Sequence, residues 1–592
     1  MKKIIIFGAS ASGRTAYMML KKEYEVIGFS DNDQKKWGTM FCNVKIYHPS
    51  ELPSFVKKDV GIVIASVYYT AINRQLISMG ITNNKLFYYF GNSMEQSYNG
   101  KYKMIDLSEQ DLFSTCRYDS DMVKKIEKDF LVNYPKDNST EKVSLKDTKK
   151  KKVLFCAYIF PPIGGSGTQR SLKFVKYLRE FGWEPIVLTV GENDKKLGED
   201  STLLRELPDD ITVIRIDDPV YIPEVMTLQQ QQQVYNLYAA VMQDPAWLQE
   251  FCTIIKNSPK GYKLIPDNHI CWVNECLKQI DSLIDFSQID MIFTTGNPFS
   301  DYVLGWFLKR KYNIPWVQDY RDPWTSNDYY IENYYKEQAD TMTLQKQLEN
   351  RLVQEADGIV GVYELCKKEF QEKFNIPQSR VSVIKNGYDE EDFKDVVTDK
   401  IANEKFTLCY NGTIYIDRNP IFLISIINVL ISEGTIKADK IQLLINGTVT
   451  QYWKDKIKEV DCNNIVVYNG ILEHEQSIKV ASTSDLLILF GCMDEGAEVI
   501  ATGKVYEYLK MPPEIICFSK TGGVLDQLLK ETASGCNFEY EKEKVKTFLS
   551  DRYQMWKNGS RDRGIRKKNI TNYSRKELTK QLAGVFERIL GE

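Results

Sequence analysis

Histidine is nearly absent: His48, His269 and His474 are all that 592 residues contain, and no HExxH joins any two of them. A histidine-built metal site and a structural zinc are therefore not expected. The twelve cysteines form no CxxC and offer one close couple, Cys271 and Cys276, a usage that fits reduced thiols in a cytoplasm. No apolar run approaches the length needed to cross a bilayer, so membrane contact would have to be peripheral. Neither sign of charge is in surplus: 77 Lys and Arg face 80 Asp and Glu, a net charge of -3 that leaves no electrostatic footprint for nucleic acid. The opening MKKIIIFGAS has no long apolar region and no cleavage site, and reads as a first β-strand, not a signal peptide.

What is present is a soluble composition, 43% hydrophobic and 27% charged, on a chain too long for one core; the length suggests about three to four domains. A strand, a glycine turn and a helix begin in that order three times: KIIIFGASASGRTAYMML from Lys3, VLFCAYIFPPIGGSGTQRSLKFVKYL from Val153, and FTLCYNGTIYIDRNPIFLISIINVL from Phe406. Continuous apolar strands between helical segments mark sheets covered on both faces. The expected fold class is α/β with three Rossmann-like domains. The first covers residues 1–95, and a polar, partly helical linker with the run KDTKKKK covers 96–150. The second covers 151–396, with an insertion near 192–265, and the third 397–592, its final helix free to cross back to the middle domain. The insertion, with Gln229 to Gln233 and VYNLYAAVMQDPAWLQEF, reads either as a packed helical elaboration or as an amphipathic lip for a lipid-linked acceptor.

The turn FPPIGGSGTQR, Phe160 to Arg170, ends in Thr168, Gln169 and Arg170 where a P-loop would end in Lys and Ser or Thr, so it is no ATPase signature. In the third restart, Asn419 can cap a helix and Pro420 suits its first position; Arg418 just before them offers a diphosphate site or merely solvates the turn. TGKVYEYLKMPPEIICF places Lys504 and Glu507 on one face of a helix that stops before Pro512. A lysine there can neutralise phosphate and the carboxylate can accept a ribose diol, although an exposed ion pair is the ordinary alternative. In DYRDPWT, after the strand IPWV, Asp319 and Asp322 are candidates to orient or deprotonate an acceptor hydroxyl, or else pair with Arg321 and brace the loop. GNPFS, Gly296 to Ser300, also follows a strand. His269 and His474 show no carboxylate partner in the sequence and receive no catalytic role.

Taken in series, FPPIGGSGTQRSLKFVKYLREFGWEPIVLT, TTGNPFSDYVLGWFLKRKYNIPWVQDYRDPWT, EADGIVGV, VIKNGYDEEDF, NGTIYIDRNP, STSDLLILF and TGKVYEYL make residues 151–592 resemble the GT-B glycosyltransferases, most closely bacterial members of glycosyltransferase family four. The resemblance implies that the last two domains form a GT-B pair around a cleft, the C-terminal one holding a nucleotide-sugar donor and the other an acceptor. It implies Arg418 and Lys504 on the donor diphosphate, Glu507 on the ribose and Gly165 bordering the phosphates. It also implies sugar transfer with retention, no metal and no other cofactor, in bacterial surface polysaccharide or glycoconjugate synthesis. The acceptor would be a glycan, a lipid-linked glycan or a protein, and the enzyme cytoplasmic or peripheral at the inner face of the membrane. Where the family often has a first glutamate seven residues before the second, this chain has Val499; Glu498 is offset by one and Glu495 by four. The lysine that many relatives carry shortly after the arginine is also missing, which leaves Lys504 as the second cation.

The front domain has GASASGR at its first turn and FSDND after its second strand, with Gly8 and Gly13 present but Ser10 where a dinucleotide fingerprint has glycine, which argues against NAD. It resembles the nucleotide-sugar-binding domain of bacterial sugar acyltransferases. Gly8, Ser12, Gly13, Arg14 and Asp31 are its candidate ligand residues, and a ligand-free docking module is the equal alternative. Two rival functions remain open: a nucleotide-sugar-modifying oxidoreductase centred on this domain, and a non-enzymatic nucleotide-sugar-binding assembly or sensor protein.

Overall fold

A computed structural model of the chain describes residues 1–66, 69–82, 84–90, 101–106, 124–126, 128, 150–191, 200–219, 228–257, 264–325, 331, 336–394, 403–414, 418–492, 496–559 and 567–591. Three sheets are present. The first contains β1 (Lys3–Phe7), β2 (Glu25–Ser30), β3 (Met40–Phe41), β4 (Val44–Tyr47), β5 (Gly61–Ile64), β6 (Lys85–Phe90) and β7 (Lys101–Asp106) in the order β3-β4-β2-β1-β5-β6-β7. Only β3 and β7 run antiparallel to their neighbours. Strand β7 lies in the stretch read as a linker; apart from it and residues 124–126, 128 and 150, that stretch falls outside the described residues.

The second sheet contains β8 (Lys151–Cys156), β9 (Trp183–Val190), β10 (Thr212–Ile216), β11 (Met291–Gly296), β12 (Trp316–Tyr320), β13 (Gly358–Gly361) and β14 (Val381–Val383), ordered β10-β9-β8-β11-β12-β13-β14. The third contains β15 (Phe406–Asn411), β16 (Ile441–Asn446), β17 (Val466–Gly470), β18 (Leu486–Phe490), β19 (Glu514–Phe518) and β20 (Gly535–Asn537), ordered β17-β16-β15-β18-β19-β20. In both, the first strand lies inside and the order reverses beside it, the doubly wound pattern that opens a ligand crevice at the carboxyl ends of the strands. The α/β class with three Rossmann-like sheets is thus what the chain adopts.

Burial explains why these strands read as unbroken apolar runs. In β1, Ile4 and Ile6 pack into one core while Ile5 and Phe7 pack into another. The same division recurs in β18, where Leu486, Ile488 and Phe490 face one core and Leu487 and Leu489 the other. Side chains alternate across a strand, so a sheet covered on both faces needs every position apolar.

By internal contacts the chain forms two compact units: Met1–Gly165, Ile186–Gln318 and Glu337–Ala356 make the first, and Ser166–Pro185, Asp319–Lys336 and Asp357–Glu592 the second. In the first unit, the insertion carries the helices Leu228–Met242 and Pro245–Asn257, which bury Tyr235, Leu237, Tyr238, Trp247, Leu248 and Phe251. Among the described residues these helices form a packed elaboration; Trp247 also donates its indole N-H to the Leu344 carbonyl. In the second unit the final helix, Arg575–Leu590, packs against the helix Ser166–Leu178, with Phe586 edge-on to Trp183 at 5.0 Å between ring centroids. No helix among the described residues is long and apolar enough to cross a membrane.

Candidate functional site

The second unit gathers most of the expected donor residues around the carboxyl end of β15. The chain leaves β15 through Gly412, whose φ of +111° lies in the region L side chains rarely adopt. A Cβ there would stand 2.8 Å from Lys504 Nζ, so glycine both makes the turn and leaves room for the lysine. Lys504 comes from the helix Gly503–Lys510, donates to the Tyr410 hydroxyl at 2.7 Å and lies over that ring, 4.1 Å from its centroid. Arg418, 5% exposed, precedes the helix Ile421–Ser432, and Asn419 caps that helix by accepting from the Ile421 N-H at 3.0 Å.

Burial, and then repulsion from Arg418, lowers Lys504 to about 7 against the pull of Glu507. Two cations held close together out of water form a site that gains by receiving an anion. Glu507 does not pair directly with Lys504: its Oε1 lies 3.1 Å from His474 Nε2. Burial opposes charge on His474, but the hydrogen bond and charge of Glu507, with Asp392 behind it, raise the imidazole to about 9. Glu498 lies apart from this cluster, 3.7 Å from Lys520, in a small hollow also lined by Cys492, Ala497, Ile500 and Ser519. Val499, at the place of the family's first glutamate, is buried, and Glu495 falls outside the described residues.

Asp319 is committed to a partner the sequence reading did not find. Arg170 grips its carboxylate with Nε at 3.2 and 2.9 Å and Nη2 at 2.7 Å, and the side chains are 1% and 0% exposed. Arg170 thus braces Asp319, while Arg321, the partner considered in the sequence, acts electrostatically on Asp322. Arg321 lies against the glycine turn, where a Cβ on Gly167 would sit 1.6 Å from its Nη1. Asp322 is half-buried, and burial raises its carboxyl to about 6 against the pull of Arg321. Arg170 Nη1 also reaches the Lys385 carbonyl at 3.1 Å and Asn386 Oδ1 at 3.4 Å, and the buried Arg575 approaches that same oxygen at 3.5 Å.

One turn along, Lys173 and Lys176 each lie 2.8 Å from Asp389 Oδ2, and the Tyr177 hydroxyl donates to Oδ1 at 2.5 Å. Burial alone would raise Asp389, but Lys173, Lys176 and Tyr177 outweigh it and hold the carboxyl well below its usual range. A depressed carboxylate contributes stability that is complete above the unfolded value near 4 and is lost as pH falls toward the folded one. Asp389→Asn is therefore expected to cost about 3 to 5 kcal/mol at pH 7 and to flatten the acid limb of the stability curve. Urea unfolding at pH 7 and pH 3, parent against variant, measures both.

In the first unit, the Asp218 carboxylate accepts from the Tyr158 hydroxyl at 2.7 Å and meets His269 Nδ1 at 2.9 Å. Asp267 caps the helix Ser300–Tyr312 through the Phe299 and Ser300 amides, at 2.8 and 3.2 Å. Both histidines passed over in the sequence thus have carboxylate partners, 51 and 33 residues away. Gly165, φ +113°, belongs to this unit. In the front domain, a Cβ on Gly8 would come within 2.6 Å of the Ala65 carbonyl oxygen and one on Gly13 within 1.8 Å of that of Gly8, so both serve close packing of the turn. Asp31 Oδ2 accepts from the Ala9 amide at 2.8 Å and Lys36 Nζ at 3.0 Å. Ser12 and Arg14 are exposed, with the Arg14 guanidinium 5.5 Å from the Phe41 ring centroid.

Compared with known families, residues 167–392 match the model of Glycosyltransferase Family 4. The resemblance to glycosyltransferase family four holds over that stretch. Residues 1–87 match the model C2185-like, N-terminal. Among solved structures, the chain is similar to a glycosyltransferase from Rickettsia africae, at 14% identity, covering 75% of this chain and 99% of that one, with a TM-score of 0.46. A sucrose-phosphate synthase from Thermosynechococcus elongatus shares 13% identity over 75% of this chain and 100% of its own, with a TM-score of 0.46. Anabaena HepE, in complex with UDP, shares 13% over 74% and 100%, with a TM-score of 0.43. No curated protein matches the chain.

Proposed function

We propose that the chain is a glycosyltransferase that moves a sugar from a nucleotide-sugar donor to a hydroxyl of a glycan, a lipid-linked glycan or a protein. The observation that carries this reading is Lys504 held at 2.7 Å on Tyr410 of β15, with the buried Arg418 near enough to lower it and Glu507 on the lysine's own helix. Fixed cations and a helix start supply countercharge where a nucleotide diphosphate departs, which is the stabilisation such a transfer needs, and no metal is required for it. Arg418 and Lys504 bind the diphosphate, Glu507 the ribose, and Glu498 the rim of the sugar subsite. Asp322 is the carboxylate proposed to handle the acceptor proton, with Asp319 positioning it through Arg170. The proposal extends to retention at the anomeric carbon, a cytoplasmic place at the inner membrane face and a role in bacterial surface polysaccharide or glycoconjugate synthesis; the family match over residues 167–392 supports its glycosyltransferase part. In the front domain Gly8, Ser12, Gly13, Arg14 and Asp31 are the proposed nucleotide-sugar contacts, with a ligand-free docking module the equal alternative.

Thermal shift against UDP, GDP, ADP and their sugars tests the reading. At least one is expected to stabilise the protein, and Glu507→Ala is expected to weaken that effect; a panel without effect overturns the proposal. The lysine adds a pH signature. Lys504, lowered to about 7, is charged below that value and loses charge above it, so diphosphate affinity should fall as pH rises past 7. Binding at pH 7.5 should accordingly take up protons, and calorimetry in two buffers of different ionisation enthalpy reads that uptake.

A further inference from the structure

The proposed donor site includes a histidine that nothing in the sequence tied to it. We propose that His474 is a positioning residue that aims the Glu507 carboxylate at the donor's ribose, and so sets how strongly the site prefers a ribonucleotide over its 2′-deoxy counterpart. The inference rests on the glycosyltransferase reading. His474 opens the helix His474–Thr483, and its Nε2 meets Glu507 Oε1 at 3.1 Å. A carboxylate only accepts, so the proton in that bond belongs to Nε2. The side chains are 32% and 26% exposed, which leaves the pair open to a ligand while Val505, Tyr506, Tyr508 and Leu509 bury the rest of the Gly503–Lys510 helix.

A glutamate on a helix surface has three torsions to lose before it can present both oxygens to a diol. The imidazole takes one oxygen and fixes the carboxylate plane, so the other is presented in one direction. A long flexible acid becomes a preorganised acceptor, which is where binding gains most. The charges around His474 favour its cationic form: Glu507 on the Gly503–Lys510 helix, Asp392 in the turn Glu390–Phe393, and Glu473 and Glu475 on its own element, against Lys173 on the Ser166–Leu178 helix. The imidazole is raised to about 9, so the bond to Glu507 is charge-assisted through neutral pH and weakens to a neutral one above it.

Calorimetric titration of the full chain with UDP, GDP and ADP, and with the 2′-deoxy form of whichever binds, tests the inference. The parent is expected to prefer the ribose form by about tenfold at pH 7.5. His474→Ala should remove most of that preference by weakening the ribose form alone, with the deoxy form within about twofold of the parent, and Glu507→Ala should remove the preference while weakening both forms. His474→Gln, which still offers an N-H, should restore part of the preference and make it independent of pH, whereas the parent's preference should fall severalfold between pH 8 and 10. A His474→Ala protein that binds a nucleoside diphosphate and keeps the full ribose preference overturns the inference while leaving the function standing. A parent that binds none of the three overturns the reading beneath it.

Discussion

Arg418→Ala is expected to lose about ten- to a hundredfold in affinity for a nucleoside diphosphate, the worth of about 1.5 to 3 kcal/mol that a charge-assisted hydrogen bond carries out of water. Arg418 is 5% exposed and its charge helps to depress Lys504, while Glu507 pulls the lysine the other way. An arriving diphosphate relieves that repulsion and adds its own attraction, and both gains vanish with the guanidinium. Arg418→Lys should restore only part of the loss, because a point charge cannot reproduce the two parallel donors of a planar fork. The alanine variant should also show less proton uptake on binding near pH 7.5, since Lys504, relieved of the second of the two causes that lower it, carries more charge there before binding. Titration calorimetry reads affinity and proton uptake together. A variant that binds like the parent removes Arg418 from the site.

The three sheets were legible because a doubly covered parallel strand has to be apolar at every position, and β1, β8 and β15 begin where three such runs follow one another with a glycine and a helix. The residues proposed for the donor were grouped for a local reason. Arg418 adjoins its own capping pair, and Lys504 and Glu507 share one turn of one helix. Long-range partners were not legible. Arg170 meets Asp319 across 149 residues, Lys173 meets Asp392 across 219, and His474 meets Glu507 across 33. Parallel strands are joined by crossovers, so carboxyl ends that are neighbours in the sheet are far apart in the chain, and no spacing rule tells a histidine which carboxylate it will face. One signal was available. Arg170, Lys173, Phe174 and Tyr177 fall at i, i+3, i+4 and i+7 of one helix, the stripe that packs inward, and Arg170 and Lys173 are each 1% exposed. Cations on an inward stripe demand buried carboxylates, and Asp319 and Asp389 are those carboxylates.

That demand makes Asp319→Asn the most destabilising single change expected in the second unit. Breaking a buried ion pair from one side costs about 3 to 5 kcal/mol, because the remaining charge keeps its desolvation penalty and loses its compensation. The two sides are not equivalent here. Arg170→Met leaves a buried carboxylate that can escape by taking up a proton, so its cost is capped and should shrink as pH falls. Asp319→Asn leaves a guanidinium that cannot shed its charge, with Arg575 beside it approaching the same Asn386 oxygen. Arg575 is already lowered to about 10 by burial and by Arg170, so loss of Asp319 adds to a repulsion the fold contains at present. The expected order is Asp319→Asn well below Arg170→Met in urea stability, with the double change Arg170→Met and Asp319→Leu recovering much of the loss, as apolar replacements of buried pairs often do. Turnover separates this bracing role from a direct one in proton transfer. If Asp319 braces, the double variant keeps measurable sugar transfer; if the double variant is stable but wholly inactive while donor binding persists, Asp319 itself acts on the acceptor.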